Sequence, residues 1–288
     1  MSVTRPALRY HGAKFRLAPW VLQHVPPHLC YVEPFGGAAG VLLQKPRSYA
    51  EVYNDLDGDI VNFFQVLRDP GQRERLIEAL TLTPYARDEF KGAYQPTAEV
   101  VERARRTAVR AQMGFGSAGA TKGHTGFRKD TKREHSLSSH GWAGYPESLR
   151  NIAERFAGVV IENRDAIQVM AEHDGSETMH FVDPPYVHST RVHSKGVKRG
   201  RCYKHEMDDE QHVTLLQSLL ELEGMVALSG YDSELYRDML VGWERRATLA
   251  RISAGRGTGV RTEVLWLNPA CSAALHGAQG GLFDEAAA

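Results

Sequence analysis

Only three cysteines occur among 288 residues, Cys30, Cys202 and Cys271, and no two are near enough in sequence to form a Cys-x-x-Cys pair. A disulfide framework and a thiolate metal site are therefore not expected. Thirteen histidines are scattered along the chain, but no His-Glu-x-x-His or paired Cys/His spacing exists, so no metal is expected either. Long hydrophobic runs are missing: none approaches the roughly 18–20 apolar residues of a membrane span. No leader pattern opens the chain, and the expected compartment is the cytoplasm. A dinucleotide fingerprint is absent too, because Gly36, Gly37 and Gly40 have the wrong spacing for Gly-x-Gly-x-x-Gly.

Net charge is the last absence, with 35 Lys and Arg against 35 Asp and Glu. The distribution is less even than the total. From Arg103 to Arg133 there are nine basic residues and one acid, Asp130; from His188 to His205 there are six basic residues, three histidines and no acid. Two such runs are either solvated loops or the footprint of a polyanion on one face.

Element patterns then give the organisation. CYVEPF (30–35) reads as a buried strand, followed by the turn GGAAG and a helix beginning VLLQ. SYAEVYND (48–55) reads as a second strand, and DIVNFFQVLRD as a helix with Ile60, Phe63, Phe64 and Leu67 on one face. This βαβα start predicts a parallel sheet with crossover helices. After Pro70 come a helix, EVVERARRTAVRAQM, and a glycine-rich basic stretch too long for an ordinary connection. The α/β pattern resumes with ESLRNIAERFA, GVVIEN, MHFV, a helix capped by Asp208 and Gln211, MVALSG and RTEVLWLN. The expected division is a catalytic domain of 1–69 and 149–269, an insertion of 70–148, and a disordered Ala/Gly-rich tail of 270–288.

Three motifs carry chemistry. In EPFGG (33–37) the glycines either let a ligand approach the backbone or let helix and strand pack closely. In ND (54–55) an acid at the end of the second strand can accept both hydroxyls of a ribose, while Asp55 or Asp57 can also cap the following helix. Together they favour a nucleoside held without a phosphate cradle, which points to S-adenosylmethionine more than to NAD. In DPPY (183–186) two prolines make a rigid exit from a strand and remove two backbone donors. The Asp183 carboxylate and nearby carbonyls then form a fixed acceptor cluster. Acceptors that hold both hydrogens of an exocyclic base amine favour a tetrahedral nitrogen with its lone pair aimed at a methyl donor. Tyr186 offers a flat face for a base that has left its duplex.

YHGAK (10–14), EPFGG, ND and DPPY, in that order, resemble the alpha-class, Dam-type N6-adenine DNA methyltransferases from Leu8 to about Asn268. The resemblance implies an α/β fold with a seven-stranded, mostly parallel class I methyltransferase (Rossmann-like) sheet and a helical target-recognition insertion. It implies that Tyr10, Lys14, Glu33, Phe35 and Gly37 hold the methionine part of S-adenosylmethionine, that Asp55 takes the ribose, and that Asp165 reaches the adenine. The family often has a bulky apolar residue after that last aspartate, where this chain has Ala166. Asp183, Pro184 and Tyr186 would hold the flipped target adenine, with Ser229 and Tyr231 of LSGYDSELY lining its pocket. Arg128, Lys129, Lys132 and Arg133 in the insertion would meet DNA phosphates, with base readout by any one of them the lesser expectation. Arg191, Lys198, Arg199 and Arg201 in the second basic run would hold the displaced backbone. Gln279–Phe283, QGGLF, fits a short pattern found in peptides that dock on the bacterial sliding clamp. The rival readings are a cytosine-N4 or RNA amino-methyltransferase, a catalytically silent DNA-binding relative and a small-molecule methyltransferase. By analogy, the plan suits a solitary bacterial or phage enzyme or a restriction-modification partner.

Overall fold

Buried apolar runs become parallel strands covered on both faces. In the computed structural model these are β1 (Cys30–Glu33), β2 (Ala50–Asn54), β4 (Thr178–Val182) and β5 (Met225–Gly230), with the short, only partly covered β3 (Val160–Glu162) parallel beside β2. It describes residues 3–121, 124–129, 137–187, 203–254 and 257–284, with the side chains of 251–259 and 278–284 excluded. β6 (Glu244–Ala254) and β7 (Gly257–Leu267) complete a seven-stranded sheet of order β3-β2-β1-β4-β5-β7-β6. β7 pairs antiparallel with both β5 and β6, and every other pairing is parallel. The mostly parallel seven-stranded α/β sheet is therefore as expected.

β6 was not read in the sequence. Its run, ERRATLARISA, is half polar because the strand lies at the sheet edge, where Leu249 is exposed. No apolar stretch marks it.

The crossover helices follow their caps. α1 is Ala18–Leu22, and α2 (Gly58–Arg68) starts at Asp57, whose side chain accepts the Asp59 amide. α3 (Pro70–Leu82), α4 (Arg87–Gly92), α5 (Val100–Met113) and α6 (Ser138–Ala143) lie between β2 and β3. α7 (Tyr145–Phe156) leads into β3, and α8 (Ala166–Glu172) into β4. α9 (Asp209–Glu221) carries the expected capping box of Asp208 and Gln211, and α10 is Glu234–Met239. Phe64 of α2 stacks on Phe156 of α7 at 4.3 Å, and Tyr53 of β2 packs against both. Ala104 and Ala108 of α5 join the same hydrophobic cluster, so this helix and the sheet share one core.

Two expectations are corrected. After EPFGG the chain makes a series of turns rather than a helix. Ala39 has a positive φ of 55°, which a right-handed helix forbids, and the Leu42 amide donates to the Glu33 carboxylate. The tail, expected to be disordered from 270, instead forms α11 (Pro269–Asp284). Asn268 Oδ1 accepts the Cys271 amide at its start, alanine favours helix, and Cys271 and Leu275 are buried in the core. The backbone of Gln279–Phe283 thus lies in a helix.

Candidate active site

The carboxyl ends of β1, β2 and β3 are tied together by one amide. Asn54, fully buried, donates to the carbonyls of Pro34 and Arg164 and accepts the Arg164 amide. The glycine turn sits on this base. Tyr53 donates to the Gly37 carbonyl at 2.6 Å, and its ring lies where a Cβ on Gly36 would stand. Gly37 has φ of 48° and packs under the Tyr10 ring, so its glycine is required by conformation and by space. Its N–H donates to Asp55 Oδ2 at 2.8 Å, while Asp55 Oδ1 accepts the Asp57 amide at 2.7 Å. Gly36 thus serves close packing against Tyr53, and Gly37 ties the turn to Asp55 and lines the cavity described next.

A cavity of about 520 Å³ opens above this platform. Tyr10, Lys14, Glu33, Phe35, Gly37, Asp55, Asp165 and Asp183 all line it, so eight residues chosen from separate motifs face one space. Asp165 is exposed and caps α8 through the Ile167 and Gln168 amides. Beside Ala166, Ile167 also lines the wall, which supplies an apolar side chain one residue later than the family pattern. Asp57 and Lys204 were not assigned to the wall from sequence. Asp57 Oδ1 accepts from the Asp59 amide and from Lys204 Nζ, while its buried Oδ2 has no partner among the described residues. Tyr203 to Met207 also line the cavity.

The acids are held in unusual states. Burial pushes Glu33 up to about 8, against the Tyr31 hydroxyl and the Leu42 amide, which both bond Oε2. Burial likewise raises Asp55 to about 6, opposed by the Asp57 and Gly37 amides. Such a wall suits a cationic ligand.

DPPY forms the other end. Lys14 Nζ reaches both oxygens of Asp183, at 2.8 and 2.9 Å, and also the Gly12 carbonyl at 3.1 Å. Burial raises the Asp183 carboxyl while Lys14 opposes it; burial would lower Lys14, yet Asp183 and Glu263 raise it overall. The Lys14 ammonium lies 4.7 Å from the centroid of the Tyr186 ring, and Tyr231 stands edge-on to that ring at 4.5 Å. The Tyr186 hydroxyl is 3.3 Å from Ser229 Oγ. Pro184 is buried behind the corner, and Pro185 lines the cavity.

The basic segments fare differently. Arg103 and Arg110 pair with Asp59, Arg105 with Glu89 and Glu102, and Arg106 with Glu102, so much of that run is neutralised in space. Residues 113–116 and 126–128 pair as the base of a hairpin, where Arg128 donates to the Gly114 and Gly116 carbonyls. Lys129 is exposed. Lys132, Arg133, Arg191, Lys198, Arg199 and Arg201 lie outside the described residues.

A mostly parallel seven-stranded sheet, with a cavity between a glycine turn and a DPPY corner, defines an α/β methyltransferase. The model of the D12 class N6 adenine-specific DNA methyltransferase family matches residues 10–253, and the chain belongs to that family. Over 68 residues it is 29% identical to a DNA adenine methylase of Serratia marcescens, covering 24% of this chain and 25% of that relative. It is also similar to a solved SAM-dependent methyltransferase from Agrobacterium tumefaciens, at 13% identity and a TM-score of 0.35, over 88% of this chain and 61% of that one. The chain thus spans less than two thirds of the length of either relative.

Proposed function

We propose that this protein moves a methyl group from S-adenosylmethionine to the N6 amine of an adenine flipped out of duplex DNA. The observation that carries this reading is the single cavity joining Asp183 to Glu33 and Asp55. Its size falls within the range of small-ligand sites. Its acids match a sulfonium, an ammonium and two ribose hydroxyls, and the unpartnered Asp57 Oδ2 adds a buried acceptor. Tyr10, Glu33 and Phe35 would hold the methionine part, with Gly37 orienting Asp55 for the ribose and Asp165 reaching the adenine.

When bound, the donor supplies an electrophilic methyl: its S–C bond breaks with the electron pair kept by sulfur as the N6–C bond forms, and the amine then releases a proton. Asp183 would accept hydrogen bonds from the amine and fix its lone pair toward the methyl. Lys14 already fills both Asp183 oxygens, so an entering amine has to displace or share that ammonium. Lys14 would accordingly serve the acceptor more directly than the donor. Tyr186, with Ser229 and Tyr231, would receive the base. Segment 70–148 would act as the DNA-reading unit, on a catalytic body of 1–69 and 149–269.

The test is methyl transfer from labelled S-adenosylmethionine to unmethylated mixed-sequence duplex DNA, followed by digestion to nucleosides and mass spectrometry. N6-methyl-2′-deoxyadenosine, lost in Asp183→Ala with donor binding retained, is the expected result. N4-methylcytosine would overturn the choice of base. Absence of product on DNA, with methylation of RNA instead, would overturn the substrate.

A further inference from the structure

β7 returns antiparallel beside β5, with Leu265 opposite Ser229 and Val264 opposite Gly230. Glu263 therefore stands one position past the end of β5, at the edge of the sheet that also carries DPPY. Strand alternation puts it on the face of Leu265 and Leu267, both in the core. The acid is only 6% exposed, and a carboxylate so placed needs a partner. That partner is Tyr186, whose hydroxyl donates to Glu263 Oε2 at 2.6 Å. Glu263 does not line the donor cavity.

Four of the groups that constrain Tyr186 are Lys14 over its face, Tyr231 at its edge, and Ser229 and Glu263 at its hydroxyl, the Glu263 contact being the shorter of those two. On the reading above, the first two lie where a base has to arrive. Lys14 gives up Asp183 to the amine, and Tyr231 is partly exposed. Glu263 and Ser229 are buried in the sheet and remain when Lys14 and Tyr231 yield, and Glu263 makes the shorter bond, 2.6 Å against 3.3 Å. The outer torsion of a tyrosine is broad, so an unanchored ring rocks, and a rocking platform misaligns a stacked amine.

We propose that Glu263 is a positioning residue for the target base, acting through the Tyr186 hydroxyl to fix the ring on which the base stacks. This rests on the methyl-transfer reading and explains why the corner uses the phenol of a tyrosine.

The experiment compares steady-state methylation of mixed-sequence duplex DNA by wild type, Glu263→Leu, Glu263→Gln, Tyr186→Phe and the Glu263→Leu/Tyr186→Phe double variant. Melting temperature and donor binding by calorimetry are measured on each. Glu263→Leu fills the volume without an acceptor and should lower kcat about a hundredfold with donor binding unchanged. Glu263→Gln keeps an acceptor oxygen and should restore most of kcat. The double variant should be no worse than the poorer single, since both remove one bond. Losses that multiply in the double variant, or a Glu263→Gln as poor as Glu263→Leu, overturn the proposal. A methylating wild type matched by Glu263→Leu sinks this assignment alone. A wild type that methylates neither DNA nor RNA sinks the reaction and the assignment together.

Discussion

The two ends of the cavity handle charge in opposite ways. At the glycine turn, Glu33 and Asp55 are acids supported by amides and a phenol, with no cation hydrogen-bonded to either among the described residues. At the DPPY corner, Asp183 is already matched by Lys14, and Tyr186 by Glu263. At neutral pH one end holds Asp55 ionised and Glu33 protonated but ready to ionise, which suits a cation that comes from outside. The other is self-satisfied and has to be opened before a substrate group can enter. A donor would therefore bind to a nearly preformed site, whereas target entry requires exchange of an ion pair.

The largest effect should come from breaking the closed end. Asp183→Asn keeps the shape but removes the charge that holds Lys14 and the amine, and should lower kcat about a thousandfold. Donor affinity should stay within a factor of about two, because the glycine-turn end is untouched. A large loss of donor binding would show that the two ends are not separable. Next comes Asp55→Ala, which removes an acceptor for the ribose and frees the Gly37 and Asp57 amides. Hydrogen bonds to charged groups contribute about 1.5–3 kcal/mol, so donor Kd should rise roughly 10- to 100-fold, with kcat at saturating donor changed far less.

The contrast also explains what the sequence could disclose. DPPY is legible because its rigidity is local: two prolines fix the corner wherever the rest of the chain goes. EPFGG and ND are legible as strand-end motifs, and the structure gathers both at the cavity. Glu263 was hidden because its role depends on an antiparallel return across 77 residues to Tyr186. Its one local sign is an acid sharing parity with Leu265 and Leu267. Asn54 was visible beside Asp55, but its three bonds reach loops after two other strands. The charge of α5 misled for the same reason, since the Asp59 that neutralises Arg103 and Arg110 sits 44 and 51 residues away. The turns after EPFGG escaped because apolar content resembles a helix, and only the Glu33 carboxylate diverts the Leu42 amide.

A smaller effect should appear in the pH dependence of donor binding. The free protein holds Glu33 protonated below about 8, and a bound cation draws it toward the carboxylate. Binding then releases a proton below that value, so affinity rises with pH, by about tenfold per unit at most, and levels above about 8. The same raised value works against the fold, because a carboxyl above its unfolded pKa favours the native state only while protonated. Its contribution fades as pH climbs from about 4.5 to about 8. Glu33→Gln carries the ligand's own titration without that of Glu33, and is the reference. Calorimetry over about pH 6–9 should show a steeper rise for wild type than for Glu33→Gln. Parallel curves would remove Glu33 from the cation site.

The smallest effect tests the rim. Lys204 reaches Asp57 at 2.8 Å and Asp59 at 3.3 Å from a segment that lines the cavity, yet it is half exposed. Burial would lower its pKa, but the two aspartates raise it overall, so the pair is ionic at neutral pH. An ion pair this open to water is worth about 0.2–1 kcal/mol, which converts to a donor Kd only about 1.4- to fivefold weaker in Lys204→Gln. Direction and salt dependence matter more than size. If Lys204 acts as an ionic latch, the gap between wild type and variant narrows as ionic strength rises, because exposed charges are screened. A gap that persists at high salt would mean the side chain acts by packing, and the rim would join the preformed end of the cavity.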